Sequence, residues 1–185
     1  MAGRLAAAFG KPAVIEATVN PALFLALAMA CAPQVHPDTA RAIVSVESGF
    51  NPYAIGVVGG ALLRQPRNRT EALATIKALQ AAGWNYSVGL AQINLANFAR
   101  LGVTPASALD PCSSLAALQT VLGECYDRAS AGPGPQTALR RALSCYYSGN
   151  FTTGSRHGYV GRVVTAARLE AARSPRTISR QESSS

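Results

Sequence analysis

The sequence predicts an all-α domain, mainly helical with room for one small β-hairpin, and three observations support this prediction. The chain has 185 residues, which fits a single core of ordinary size. Apolar residues make up 49% of it and charged residues 14%, so it is too apolar to be disordered. Its apolar segments are rich in Ala and Leu and contain few β-branched runs, which favours helices over strands. We therefore expect one folded domain over residues 20–173.

Most of the predicted helices begin at a capping residue or a proline and end at a glycine. A loop rich in Gly and Pro follows the second helix, and residues 55–58 and 61–63 within it could pair as a hairpin. The predicted helices are one from Asn20-Pro21, one from Pro37-Asp38 to Gly49, one from Thr70 or Glu71 to Gly83, one through Leu95, Phe98 and Leu101, one from Asp110-Pro111, one from Pro135 to Gly149, and one through Val160 to Ala167.

The two ends of the chain are treated apart from this domain. Residues 1–19 contain basic residues like a charged leader, but Glu16 interrupts them before the apolar run at 22–30, which is too short to span a bilayer. We therefore expect no transmembrane segment here, and a leader that is a remnant, a misplaced start or an unusual signal. Residues 174–185 are polar and are predicted to form a disordered tail.

The charge balance points to an anionic partner. The formal net charge is +8, which suits nucleic acid, anionic lipid or the peptide-substituted glycan of a bacterial wall. The basic residues are scattered, without a block interleaved with aromatic residues and without a motif that reads the major groove. We therefore do not expect nucleic acid as the partner.

The four cysteines favour disulfides over a metal site. Cys31, Cys112, Cys125 and Cys145 form no C-x-x-C pair, so zinc is not expected. Cys112 and Cys125 lie at opposite ends of one predicted helix, roughly 20 Å apart, which is too far for a bridge. In disulfides, each must therefore pair with Cys31 or Cys145, in either order. Such bridges would imply an oxidising compartment, and free buried thiols are the alternative.

Glu47 is the leading candidate for a catalytic group. At helical spacing it follows Ile43 and Val44 on one apolar stripe, which begins at Ala40. A carboxyl group that faces packing loses hydration, which raises its pKa and suits a group that must donate a proton near neutral pH. The alternative is an acid at a helix end whose carboxyl group reaches solvent.

Other polar and aromatic residues could join Glu47 from distant segments. Gln92 and Asn94 carry amides suited to bonding the hydroxyl and acetamido groups of a sugar. Tyr146, Tyr147 and Tyr159 could offer flat faces to pyranose rings. The alternatives are that the amides cap the following helix and that Tyr146 packs in the core.

Four motifs, in the order in which they occur, resemble those of soluble lytic transglycosylases with a goose-type lysozyme fold. Further segments narrow the resemblance to the transglycosylases that accompany bacterial type IV secretion and conjugation systems, and it covers approximately Leu23 to Ala167. The four motifs are Glu47-Ser48-Gly49-Phe50-Asn51-Pro52, Gly89-Leu90-Ala91-Gln92-Ile93-Asn94, Leu143-Ser144-Cys145-Tyr146-Tyr147-Ser148-Gly149-Asn150 and Gly158-Tyr159-Val160. The narrower segments are Cys31-Ala32-Pro33, Ala54-Ile55-Gly56-Val57-Val58-Gly59-Gly60 and Asp110-Pro111-Cys112.

The resemblance implies a periplasmic enzyme that cleaves the β-1,4 bond between N-acetylmuramic acid and N-acetylglucosamine in peptidoglycan, leaving a 1,6-anhydro end. It implies that Glu47 protonates the leaving oxygen and then accepts the proton of the muramyl C6 hydroxyl. We find no convincing second acid, which agrees with such a reaction. We expect no cofactor or metal, and components of a type IV secretion system as partners. The implied substrate-binding residues are Ser48, Gln92, Asn94, Tyr146 and Tyr159.

Three features depart from the resemblance. Tyr147 stands where many relatives have Asn, so no specific hydrogen-bonding role is carried onto it, and Gly56 stands where many have Ser. Residues 60–88 separate motifs that are nearly contiguous elsewhere and could shape the groove or a partner surface. The first alternative function is a non-catalytic peptidoglycan-binding or assembly component of the secretion system, and the second is a basic nucleic-acid binder.

Overall fold

The computed structural model describes residues 18–132 and 134–173. The mainly helical prediction is confirmed in these residues, where a small three-stranded sheet accompanies the helices. Residues 1–17 of the predicted leader and the whole predicted tail at 174–185 lie outside the described residues. The helices are α1 (Pro21–Cys31), α2 (Pro37–Ser48), α3 (Arg69–Ala81), α4 (Phe98–Leu101), α5 (Pro105–Ala108), α6 (Pro111–Ala129), α7 (Pro135–Ser148), α8 (Thr153–Arg156) and α9 (Tyr159–Arg173), and the strands are β1 (Ile55–Val57), β2 (Tyr86–Val88) and β3 (Ile93–Asn94).

Two helices begin at predicted capping residues, whereas α3 begins at Arg69, one residue before the predicted start, with Asn68 as its cap. The Asn20 side chain accepts a hydrogen bond from the Leu23 amide at 2.9 Å, which starts α1. The Asp110 side chain accepts one from the Ser113 amide at 2.9 Å, which starts α6. Each such cap is worth about 1 kcal/mol. The helix predicted through Leu95 is divided into a 3-10 turn (Leu95–Asn97) and α4, and the short helices α5 and α8 were not predicted.

The predicted hairpin is wrong. β1 pairs antiparallel with β2, which lies beyond α3 in the chain, and residues 61–63 form no strand. The Gln65 side chain takes the place of the expected partner, because its amide donates to the Ile55 carbonyl at 2.9 Å and accepts from the Ile55 amide at 2.8 Å. β2 also pairs with β3, so the sheet order is β1-β2-β3.

Packing of α2 on α9 and of α6 on α7 positions the functional groups described below. Ile43 from α2 and Leu118 from α6 are fully buried in the core, and burying side chains of this size contributes about 1.5–3 kcal/mol each. Two disulfides add to this frame: Cys31–Cys112 joins α1 to α6, and Cys125–Cys145 joins α6 to α7. This is one of the two pairings left open by the sequence. Within the described residues, no helix is long and apolar enough to cross a membrane.

Candidate active site

A groove of about 460 Å³ lies between the sheet, the carboxyl end of α2 and the carboxyl end of α7. It brings together four of the predicted site residues, Glu47, Gln92, Asn94 and Tyr146, which come from three segments far apart in sequence. The full lining is Glu47, Val58, Asn85, Ser87, Gln92, Ile93, Asn94, Asn97, Val121, Tyr146, Tyr147, Ser148 and Gly149.

Glu47 lies in the last turn of α2, where the apolar stripe that precedes it is buried. Ala40, Ile43 and Val44 are each 0% exposed, and Glu47 itself is partly buried at the groove. The helix ends after Ser48 because Gly49 adopts a left-handed conformation, with φ of 57°. The predicted placement of this acid on the packed face of its helix is therefore confirmed.

The chain after Glu47 is held in an unfavourable backbone conformation. Phe50 has a φ of 66°, which is uncommon for a residue that is not glycine. Its ring packs edge-on against Phe24 with centroids 5.3 Å apart, and its carbonyl accepts a hydrogen bond from the Val19 amide at 3.0 Å. These contacts hold a backbone that costs of order 1–3 kcal/mol, next to the acid.

The environment of Glu47 makes it a weak acid. Burial raises its pKa from the ordinary value of 4.5 to about 7, opposed by a hydrogen bond from Tyr159 and by the positive charge of Arg162. The Tyr159 hydroxyl donates to Oε1 of Glu47 at 2.6 Å. The carbonyl end of a helix also disfavours a negative charge. Near neutral pH both the protonated and the ionised form of Glu47 are therefore populated.

Tyr159 and Tyr146 differ in their relation to the groove. Tyr159 is 1% exposed and does not line the groove; it lies behind Glu47 at the start of α9. Tyr146 does line the groove, and its hydroxyl donates to the Ala91 carbonyl at 2.6 Å. Burial, followed by the charge of Glu47, raises the pKa of both phenols above their usual range. Both tyrosines therefore keep their protons at neutral pH and act as hydrogen-bond donors.

Gln92 lies in a tight turn, and hydrogen bonds to the backbone fix its side chain. Its φ is 47°, and its side-chain amide donates to the Ala54 and Gly89 carbonyls, each at 3.0 Å. A Cβ on Gly56 would lie 2.8 Å from Oε1 of Gln92, so the glycine at this position leaves room for the amide. Gly89 has a φ of +83°, and a Cβ there would overlap the Ala108 carbonyl oxygen. These two glycines therefore allow the turn that presents Gln92 to the groove.

Asn94 and Ser48 both make local hydrogen bonds. The Asn94 amide donates to the Tyr86 carbonyl and to the Ser87 hydroxyl at 3.2 Å each, and its oxygen accepts from the Ala96 amide at 3.0 Å. Asn94 thus caps the 3-10 turn at Leu95–Asn97 and also lines the groove. The Ser48 hydroxyl donates to the Val44 carbonyl at 3.2 Å, and Ser48 is not among the lining residues.

Sequence reasoning missed the contribution of β2 to the groove. Asn85 and Ser87 line the groove, whereas Tyr86 and Val88, which alternate with them, are 0% exposed. This alternation is the period-two signal of a half-buried strand and could have identified it. Ser87 pairs with Asn94 across the sheet, so the strands present a polar row to the groove.

Within the described stretches there is no group of three His, Cys, Asp or Glu side chains that could hold a metal ion.

A partly buried acid with a raised pKa, at the end of a core helix and in a groove beside a small sheet, is a candidate catalytic group. The chain belongs to the transglycosylase SLT domain family, whose model matches residues 24–168. The family resemblance of the four motifs is therefore confirmed.

The chain is also similar to two named proteins over most of its length. The chain is 53% identical over 151 residues to the type IV secretion system protein virB1 of Brucella abortus, which covers 78% of this chain and 63% of that protein. It is 40% identical over 158 residues to protein virB1 of Agrobacterium fabrum, which covers 84% of this chain and 64% of that protein. The alignments therefore span less than two thirds of these relatives. No solved structure matches the chain significantly.

Proposed function

We propose that this chain is a lytic transglycosylase that cleaves the β-1,4 bond between N-acetylmuramic acid and N-acetylglucosamine in peptidoglycan. The observation that carries the proposal is the state of Glu47: a groove-lining carboxyl group whose pKa is raised by burial to about 7. A group that titrates near the working pH can both donate and accept a proton in one catalytic cycle.

The single acid among the described lining residues supports transglycosylation over hydrolysis. Among the described residues that line the groove, Glu47 is the one carboxylate, whereas most glycosidases use two. Other acids are engaged elsewhere: Glu71 pairs with Arg64 and Arg67, each at 2.7 Å, and Glu124 pairs with Arg100 at 2.7 Å. With no second carboxylate among these lining residues to attack C1 or to activate water, we infer that the nucleophile is a hydroxyl group of the substrate, with Glu47 as its base.

The proposed reaction has two proton transfers through Glu47. The protonated carboxyl group gives its proton to the glycosidic oxygen as the bond from C1 to that oxygen breaks. The resulting carboxylate takes the proton of the muramyl C6 hydroxyl as O6 bonds to C1, which closes the 1,6-anhydro ring. Burial favours the acid form before the first transfer, and Tyr159 with Arg162 stabilises the carboxylate after it.

The other residues take distinct roles in this proposal. Tyr159 positions Glu47 from behind, and we do not place its ring against the substrate. Gln92 keeps an amide oxygen that no described donor occupies, and Asn94 and Tyr146 form the walls beside it. We infer that these three contact the glycan. We assign no substrate contact to Ser48, because its hydroxyl group bonds within its own helix.

We further propose a periplasmic setting in which the enzyme opens the wall locally for a type IV secretion or conjugation apparatus. The name of the Brucella relative supports the link to type IV secretion. The two disulfides support an oxidising compartment. Secretion-system components are therefore the expected protein partners.

The test compares the digestion of purified peptidoglycan by the wild type, Glu47→Gln and Glu124→Gln. Glutamine keeps the shape of residue 47 but cannot donate a carboxyl proton, so we expect no release of soluble fragments by that variant. The control removes a charge from a surface ion pair and should digest like the wild type. Equal digestion by wild type and Glu47→Gln would contradict the proposal, and lack of digestion by all three would favour a non-catalytic glycan-binding component.

A further inference from the structure

Tyr147 has no role in the reaction described above, although it is well placed to influence it. It follows Tyr146 on α7, lines the groove and is 43% exposed. Its ring stacks on the ring of Tyr159, with centroids 4.8 Å apart and planes 21° from parallel. Tyr159 is the residue whose hydroxyl group bonds Glu47. Contacts therefore run without a break from the groove to Glu47: Tyr147 lines the groove and stacks on Tyr159, and Tyr159 bonds Glu47.

We propose that Tyr147 is a positioning residue, whose ring covers Tyr159 and so fixes the phenol that bonds Glu47 and keeps water from that bond. The inference rests on the proposed role of Glu47 as the acid. A second contact holds the cover in place: the Tyr147 hydroxyl lies 3.4 Å from Nδ1 of His157, and the His157 ring packs edge-on against Tyr147 at 6.0 Å. His157 follows α8, so α7 and the start of α9 are joined over the buried phenol.

The groups that face Glu47 decide the effect of removing this cover. They are Tyr159 and Arg162 from α9 and Tyr146 from α7, and Tyr147→Ala leaves all three in place. Tyr147→Ala removes an aromatic ring and no carboxylate or basic group, so its effect on Glu47 comes through hydration. Burial is the main cause of the raised pKa of Glu47. Water admitted beside the Glu47–Tyr159 bond therefore lowers that pKa.

The direct test is the titration of the Glu47 carboxyl carbon by nuclear magnetic resonance in four proteins: wild type, Tyr147→Ala, Tyr147→Phe and Trp84→Ala. We expect Tyr147→Ala to lower the midpoint by about one pH unit, a size set by the loss of part of the desolvation. Tyr147→Phe loses the hydroxyl contact but keeps the ring that stacks on Tyr159 and packs against His157, so the bond between Tyr159 and Glu47 stays covered and the variant should titrate like the wild type. Trp84 is 45% exposed and lies outside the groove lining, so its removal controls for the loss of an exposed aromatic ring.

Kinetics separate positioning from direct sugar stacking. If the midpoint falls by one unit, about a tenth of the carboxyl groups stay protonated at pH 7 instead of half, so kcat at that pH should fall roughly fivefold. The basic limb of the pH profile should move down with it, and KM should change little. A higher KM with an unmoved basic limb would mean that Tyr147 stacks on sugar, which overturns the inference.

The titration needs no substrate, so it distinguishes this inference from the proposed function. A Tyr147→Ala protein that titrates like the wild type refutes the positioning role, whatever the chain does to peptidoglycan. A lowered midpoint, restored in Tyr147→Phe, supports the role even if the chain proves not to cleave peptidoglycan. Circular dichroism of each variant should match that of the wild type, because Tyr147 and Trp84 are 43% and 45% exposed and neither belongs to the buried core.

Discussion

Replacing Glu47 by Gln should change how the stability of the protein depends on pH. In the folded state the carboxyl group keeps its proton up to about pH 7, because burial raises its pKa from 4.5 to about 7. In the unfolded chain it ionises near its ordinary pKa. Between these two values the folded state holds more protons than the unfolded state, so the stability of the wild type falls as the pH rises.

The size of this effect follows from the pKa. One pKa unit corresponds to about 1.4 kcal/mol, so the rise for Glu47 corresponds to roughly 3 kcal/mol of stability lost between pH 4 and pH 8. Glutamine does not titrate, and its side-chain oxygen can still accept the hydrogen bond from Tyr159. All other groups titrate in both proteins and cancel in the difference. Glu47→Gln should therefore gain about 3 kcal/mol on the wild type across this range.

The assay is urea unfolding of both proteins at pH steps from 4 to 9, followed by circular dichroism. The difference in the free energy of unfolding should grow from pH 4.5 and level off above pH 7. Glu124→Gln serves as the control, since Glu124 pairs with Arg100 at the exposed surface. A difference between Glu47→Gln and wild type that stays constant over the whole range would refute the argument that Glu47 is a buried weak acid.

Three further predictions concern the hydrogen bond from Tyr159 to Glu47, the glycine in the turn that presents Gln92, and the disulfide between Cys31 and Cys112. Tyr159→Phe removes a hydrogen bond to the carboxylate worth about 1.5–3 kcal/mol, so the basic limb of the activity profile should move up by roughly one pH unit or more. Gly89→Ala should lower the free energy of unfolding, measured by thermal denaturation, by clearly more than about 1 kcal/mol, because Gly89 has a positive φ and an added Cβ would clash with the backbone. Gly83 has a φ of +70° but an added Cβ would meet open space, so Gly83→Ala should lower it by only about 1 kcal/mol. Replacing Cys31 and Cys112 by Ser opens a loop of 81 residues and should lower the free energy of unfolding by roughly 4–5 kcal/mol; an unchanged midpoint in denaturant would contradict this.

The sequence was informative where the determinants are local. The burial of Glu47 could be predicted because Ile43 and Val44 precede it within one helical turn on the same face. The start of α1 could be predicted because Asn20 and Pro21 satisfy and pre-organise the first turn on their own. Such features need no knowledge of the remainder of the chain.

The parts that could not be predicted depend on contacts between distant segments. Tyr159 lies 112 positions from Glu47, and its burial behind the acid follows from the packing of α2 on α9. β1 finds its partner beyond α3, and strands of two or three residues leave almost no periodicity to read. Gln65 replaces a strand by a side chain, which no pattern of hydrophobicity indicates.

Mass spectrometry of the fragments released from purified peptidoglycan tests the central claim most directly, because the chemistry of the muramyl end records which nucleophile attacked C1. If Glu47 transfers protons for an internal attack by the C6 hydroxyl, the wild type should yield 1,6-anhydro ends, each lighter than a reducing end by one water. Glu47→Gln should release neither product. Reducing ends in the wild-type digest would contradict the account, since they would require a water molecule activated at C1.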